Sequence, residues 1–220
     1  MSRLLVPLIC LVALATTAAA QSDTKFIRET QYSSGENNHL CLIWWIPGEY
    51  WVYSAATKDS ATQASLRLIA ETLEPYVVVA AAYGAMGEFA SVSYSTDEEL
   101  FANISLRDIH GRTHLPLSPD KVDGEAANFL AMMKPVFSGM IGPLGKNLNF
   151  YLWPATIDSL RLADPMADGS LSVKLFSDSL RVRLPLNALL PEQICTKCGE
   201  RSEGAWDFCP WCGNHLKKKK

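Results

Sequence analysis

From His39 to Ala55 the chain reads HLCLIWWIPGEYWVYSA, the most apolar stretch beyond its first twenty residues. Leu40, Leu42, Trp44 and Ile46 alternate with Cys41, Ile43 and Trp45, so both faces of an extended segment are apolar. That pattern predicts a buried strand up to Ile46. Pro47 suits the first turn of a short helix after it, with Glu49 where the helix dipole favours an acid. DSATQASLRLIAETLEP predicts a second helix, capped by Asp59 or Ser60, with Ala61, Ala64, Leu68 and Leu73 on one face and Pro75 as its stop. YVVVAAAYG and EFASVSYS predict a hairpin turning at Gly84–Gly87.

LFANISLRD continues the strand pattern, Ile104 and Leu106 facing opposite to Asn103, Ser105 and Arg107, and Gly111 is placed for a turn with positive φ. GEAANFLAMMKPVFSGMIG carries Ala126, Ala127, Leu130, Met133, Phe137 and Met140 at helical spacing, with Pro135 expected to kink or split the helix. NLNFYLW, SLSVKLFS and LRVRLPL alternate with period two. The sum is an α+β chain: a mainly antiparallel, sandwich-like β body of about seven strands with two or three packed helices. Residues 22–38 are polar and read as loosely ordered.

The first twenty residues stand apart. Arg3 and the amino terminus precede an apolar run from Leu4 to Leu14, then Thr16 and Thr17, then Ala18-Ala19-Ala20. That order is a secretory signal peptide cut after Ala20, and it predicts an exported protein, periplasmic or secreted, with no membrane span left after cleavage. Expected segments are the signal peptide over 1–20, the body over 21–191, a small C-terminal module over 192–216 and a basic tail over 217–220. Residues 21–191 carry 13 basic and 19 acidic side chains, whereas 192–220 carry 6 and 4. An acidic body beside a nearly neutral module is a poor footprint for nucleic acid. The Lys217–Lys220 run reads as a solvated tail.

The module contains CTKCGERSEGAWDFCPWCGNHL, two C-x-x-C-G turns ten residues apart. Each C-x-x-C presents two thiolates to one side, and the following Gly lets the backbone fold under a metal. Cys195, Cys198, Cys209 and Cys212 are therefore candidate ligands of one tetrahedral zinc ion. The gap is shorter than the common 15–20 residues of such pairs. Two other chemistries compete. CPWC looks like a glutaredoxin-type redox pair, but only eight residues follow Cys212 where such folds place a domain, and the first pair would be left over. Disulfides suit an exported protein, but a bridge within one C-x-x-C closes a very small loop.

The segment over residues 194–216 resembles the short zinc ribbons at the termini of many bacterial and archaeal proteins. Both C-x-x-C-G turns match, as do an aromatic before the second pair, Phe208, and a Leu shortly after it, Leu216. The resemblance implies one structural Zn2+ held by the four cysteines and no catalysis, and it says nothing of the body.

The body shows no comparable motif. Asp108, His110 and His114 in DIHGRTH could suggest a metal cluster, but Gly111 argues for a turn with the histidines pointing apart. Glu98 and Glu99 behind Thr96 read as a capping box. Lys146 is followed by Asn147, so the glycine-rich 139–145 segment is no phosphate loop. Cys41 reads as a buried thiol and His215 as a surface histidine. The expected function is an exported, non-enzymatic zinc protein that binds another protein at the cell envelope, with the ribbon as docking module. The alternatives are a nucleic-acid-binding ribbon protein lacking a true leader, and an envelope enzyme with an unrecognised site.

Overall fold

A computed structural model describes residues 24–36, 38–55 and 59–216. The signal peptide expected over 1–20 and the basic tail lie outside them. Residues 30–185 form one compact unit, and residues 24–29 with 186–216 form another. The described residues begin with α1 (residues 24–30), β1 (Gln31–Ser34), β2 (His39–Ile46), α2 (Gly48–Ala55), α3 (Ser60–Leu73), β3 (Tyr76–Met86) and β4 (Val92–Tyr94). Next come α4 (Asp97–Asn103), β5 (Ile104–Arg107), β6 (Thr113–His114), α5 (Gly124–Ile141), α6 (Pro143–Lys146) and β7 (Asn149–Pro154). Short β8 (Thr156–Ile157) and β9 (Leu160–Arg161) precede β10 (Gly169–Leu175) and β11 (Asp178–Leu184), and β12 (Gln193–Ile194) and β13 (Arg201–Ser202) close the series. The expected α+β class, with antiparallel sheets, is what the chain adopts.

The larger unit is layered. One sheet runs β1-β2-β3-β4, with β7 also on β3. Register puts Cys41, Ile43 and Trp45 on one face with Tyr83, Ala81 and Val79, and puts Leu42, Trp44 and Ile46 on the other with Ala82, Ala80 and Val78. Both faces are buried, as the unbroken apolar run requires. Helices cover the second face: Trp44 meets Phe137 of α5 and Tyr50 of α2 edge-on, and Phe137 packs on Phe150. The second sheet, β11-β10-β5-β6, covers the first face. Tyr32 and His39 reach across to Asp178, at 2.7 and 2.9 Å, and Tyr83 packs on Phe176.

The second sheet buries one side only. Leu106, Leu171, Val173, Leu175, Leu180, Val182 and Leu184 point inward. Outward, register aligns Thr113, Arg107, Ser172 and Arg181 in one row, Ser105, Lys174 and Ser179 in the next, and Ser170 beside Arg183.

Local differences from expectation have local causes. Residues 22–38 are not wholly loose: α1 buries Phe26 completely and β1 joins the first sheet. In α3, capped by Asp59 on Ala61 and Thr62, Ala61, Ala64 and Leu68 are exposed. The packed side is Leu66, Ile69, Ala70 and Leu73, an equally helical stripe. The hairpin turns at Gly87–Ser91, because β3 continues through Gly84, where a side chain would collide with Val92. Leu100–Asn103 is helical, since the Thr96–Glu99 capping box starts a helix there. α5 runs unsplit through Pro135 and buries Ala126, Leu130 and Phe137. Among the described residues, no helix is long and apolar enough to cross a membrane.

Candidate metal centre

In the smaller unit one local turn occurs twice. In the first, β12 and β13 pair around Cys195–Glu200. The Cys195 N–H donates to the Glu200 carbonyl and the Gly199 N–H to the Cys195 carbonyl, both at 2.9 Å. In the second, Phe208 bridges His215, the Cys209 N–H donates to the Asn214 carbonyl at 2.8 Å, and the Gly213 N–H to the Cys209 carbonyl at 2.9 Å. Gly199 and Gly213 hold φ of 78° and 70°, a left-handed backbone that explains glycine after each pair. The two turns face each other, and all four Sγ atoms lie within 4.8 Å of one another.

The nearest sulfurs belong to different turns: Cys195 to Cys212 and Cys198 to Cys209, each 3.6 Å. A disulfide needs about 2.05 Å, so these are four free thiols. Four sulfurs about 2.3 Å from a central ion, tetrahedrally arranged, sit about 3.8 Å apart. The observed spacing fits that shell. Among the described residues this is the one group of three or more Cys, His, Asp or Glu with metal-binding spacing.

The turns also favour thiolate. N–H groups of Cys198 and Lys197 point at the Cys195 sulfur and lower its pKa to about 6. Burial raises Cys209, but N–H groups from Cys212 and Trp211 outweigh it and hold it below its usual value. Cys198 behaves oppositely. The Glu200 N–H acts to lower it, yet desolvation and the surrounding sulfurs prevail and push it up to about 12. Four thiolates this close repel one another, and a divalent cation removes that penalty.

Cys195, Cys209 and Leu216 form the small core beneath the site, with half-buried Cys212 against it. Gln193 Nε2 ties the intervening loop by donating to the carbonyls of Gly204 and Trp206, at 2.8 and 3.0 Å. Ala205 N–H donates to Asn187 Oδ1, and the Glu29 carboxylate of α1 accepts from the N–H groups of Asn187 and Ala188. Lys25 pairs with Glu203. The rim is apolar and open: Phe208, Trp211 and Ile194 are 60, 71 and 67% exposed. His215 stacks edge-on against Phe208, away from the sulfurs.

Elsewhere the expected residues separate or join as follows. Asp108 accepts from the His110 and Arg112 backbone N–H groups, from Arg112 Nε at 2.8 Å, and pairs with His114 Nε2 at 3.0 Å. His114 thus joins Asp108, while His110 offers only its backbone. Asp108 is buried, which disfavours its charge, but His114 and Arg112 outweigh this and hold its carboxyl well below the usual range. Cys41 shares a sheet face with His39, which Asp178 engages. Burial pushes the Cys41 thiol up to about 12, the reverse of what a nucleophile requires. A cavity of about 260 Å³ between α5, β7 and the 117–122 loop is mostly apolar. Its Asp97 accepts from the Tyr151 hydroxyl, and its Lys134 donates to Asn149. Sequence reading did not find Asp178, whose partners Tyr32 and His39 lie in distant strands.

No protein-family model, no curated protein and no solved structure matches the chain.

Proposed function

We propose that this is an exported, non-enzymatic zinc protein whose C-terminal ribbon docks another protein at the cell envelope. The observation that carries the reading is the contrast within the ribbon. Four cysteines fill a tetrahedral shell, leaving no position for water or substrate. Around them Phe208, Trp211 and Ile194 stand in solvent, and large apolar side chains on a rigid support are typical anchors of protein interfaces. Zinc suits the set because it accepts four thiolates and has no redox chemistry of its own. Bound early, it shields the thiolates from oxidants met after export. Export rests on the charged, apolar and small-residue order of positions 1–20.

The test joins location to docking. Cell fractionation should find the protein outside the cytosol, and its mature sequence should begin at Gln21. Pull-down from envelope extract is compared between the wild type and a Phe208→Ser, Trp211→Ser variant that keeps all four cysteines. The variant should retain one zinc and lose the captured partner. A cytosolic protein retaining Met1, or capture unchanged in the zinc-loaded variant, would refute the reading.

A further inference from the structure

The outward side of the β6-β5-β10-β11 sheet has nine positions, four holding Lys or Arg and five holding Ser or Thr. None holds a carboxylate. The surrounding unit, residues 30–185, has 17 Asp and Glu against 11 Lys and Arg, so its composition alone would put acids here. Asp178, the acid at the start of β11, lies on the opposite face with His39 and Tyr32. Among the described residues, none of the ion pairs uses Arg107, Lys174, Arg181 or Arg183. A groove of about 270 Å³ opens on this face, lined by Arg107, Lys174 and the hydroxyls of Ser105, Thr113, Ser172, Ser177 and Ser179; Asp178 reaches its edge, its carboxylate engaged by Tyr32 and His39.

The register fixes the spacing of the charges. Strand geometry puts Arg181 and Arg183 about 7 Å apart along β11, Arg107 and Arg181 about 10 Å apart across β10, and Lys174 about 8 Å from each of that pair. Each cation lies within roughly one screening length, about 10 Å at 0.1 M salt, of at least one other, so neighbouring potentials add. Uncompensated like charges cost the fold stability. A ligand supplying the missing anions would relieve that cost.

We propose that this face binds an extended, sparsely charged polyanion, namely an acidic polysaccharide. A duplex nucleic acid presents a charge about every 1.7 Å, far denser than this grid. Single strands are held by aromatic stacking, and the nine positions include no aromatic. A membrane-surface site buries apolar side chains in the interface, and the face has none. Serine and threonine hydroxyls between the cations can donate to carboxylate or sulfate oxygens and to sugar hydroxyls, which suits a chain of charged and uncharged sugar groups. The proposal is independent of the metal site.

The probe is chondroitin sulfate, which carries one sulfate and one carboxylate per disaccharide, with uncharged dextran as control. Calorimetric titration of the full chain over about 50–200 mM salt should show binding to the first only, with a salt slope of about four released counterions. Lys174→Ser with Arg181→Ser should weaken binding about tenfold or more at the lowest salt and reduce the slope by about two. The melting temperature should not fall, since two mutually repelling charges are removed. Lys121→Ser with Lys146→Ser, a change of equal charge elsewhere, should leave affinity unaltered. The proposal is overturned if chondroitin sulfate does not bind, or if the two double variants lose affinity equally. Affinity unchanged in the face variant overturns it as well. It is also overturned if a short single-stranded DNA or phosphatidylglycerol vesicles bind more tightly through the same residues.

Discussion

If the four cysteines hold zinc as proposed, chelating it should release five backbone amides together: those of Cys195, Gly199, Cys209, Gly213 and Leu216, all hydrogen-bonded within or beside the two turns. The apolar cluster beneath them comprises Cys195, Cys209 and Leu216 with Cys212. Leu216 is its one side chain that is not a candidate ligand, and burying a leucine contributes about 2 kcal/mol. A structural zinc in small thiolate and imidazole sites contributes about 10–16 kcal/mol of apparent folding free energy. The ion therefore outweighs the local packing several-fold. At about 1.4 kcal/mol per decade, its loss corresponds to about seven to eleven decades of protection. Global opening, at about 5–15 kcal/mol, limits the visible part to about four decades or more. The assay is hydrogen exchange followed by mass spectrometry, with and without a strong chelator. The five amides should exchange at the earliest time point, while β2, β3 and β7 remain protected. Those strands belong to a separate compact unit with its own core. Protection lost from β3, or retained at the five amides in metal-free protein, would refute the claim that the metal alone holds the ribbon.

Elemental analysis should find one zinc per chain; Cys209→Ser should abolish it, and Cys41→Ser, in the buried β2 strand, should not. Asp108→Ala removes a buried carboxylate that accepts four hydrogen bonds from the turn and strand after it and should cost about 3 kcal/mol, a fall of about 6–12 °C in melting temperature for a domain of this size. Because the folded pKa of Asp108 is depressed, its stabilisation is complete above the unfolded value of about 3.9 and is lost as pH falls through the folded one; the melting-temperature gap to Asp108→Asn should therefore narrow below about pH 4. Gly145→Ala places a Cβ against the Phe137 backbone, 2.6 Å from its carbonyl carbon, and should destabilise by about 2–3 kcal/mol in denaturant titration.

The sequence by itself determined what depends on neighbours along the chain. The four-cysteine cluster was legible because a C-x-x-C-G turn is closed by hydrogen bonds spanning five or six residues. The Asp59 cap, the Thr96–Glu99 box and the left-handed Gly111 are equally local. Where local signals conflicted, the structure decided. The capping box prevailed over the strand-like alternation through Leu100–Asn103, since it satisfies two otherwise orphaned N–H groups. α3 offered two apolar stripes, and the one used depends on what the helix packs against, which its own period cannot state. His114 meets Asp108 because β6 returns along β5, and that pairing places the imidazole beside the carboxylate. The basic face has the same origin. The alternation of β5, β10 and β11 gave each strand a polar side, but nothing within one strand says which cation lies beside which hydroxyl. Arg107 and Arg181 share a row only because both pair with Ser172. Register is set by burying the inward leucines and valines of all three strands at once, and a slip of one residue would turn those apolar side chains to solvent. That constraint acts between segments far apart in sequence, so only the tertiary structure could put four cations on one surface.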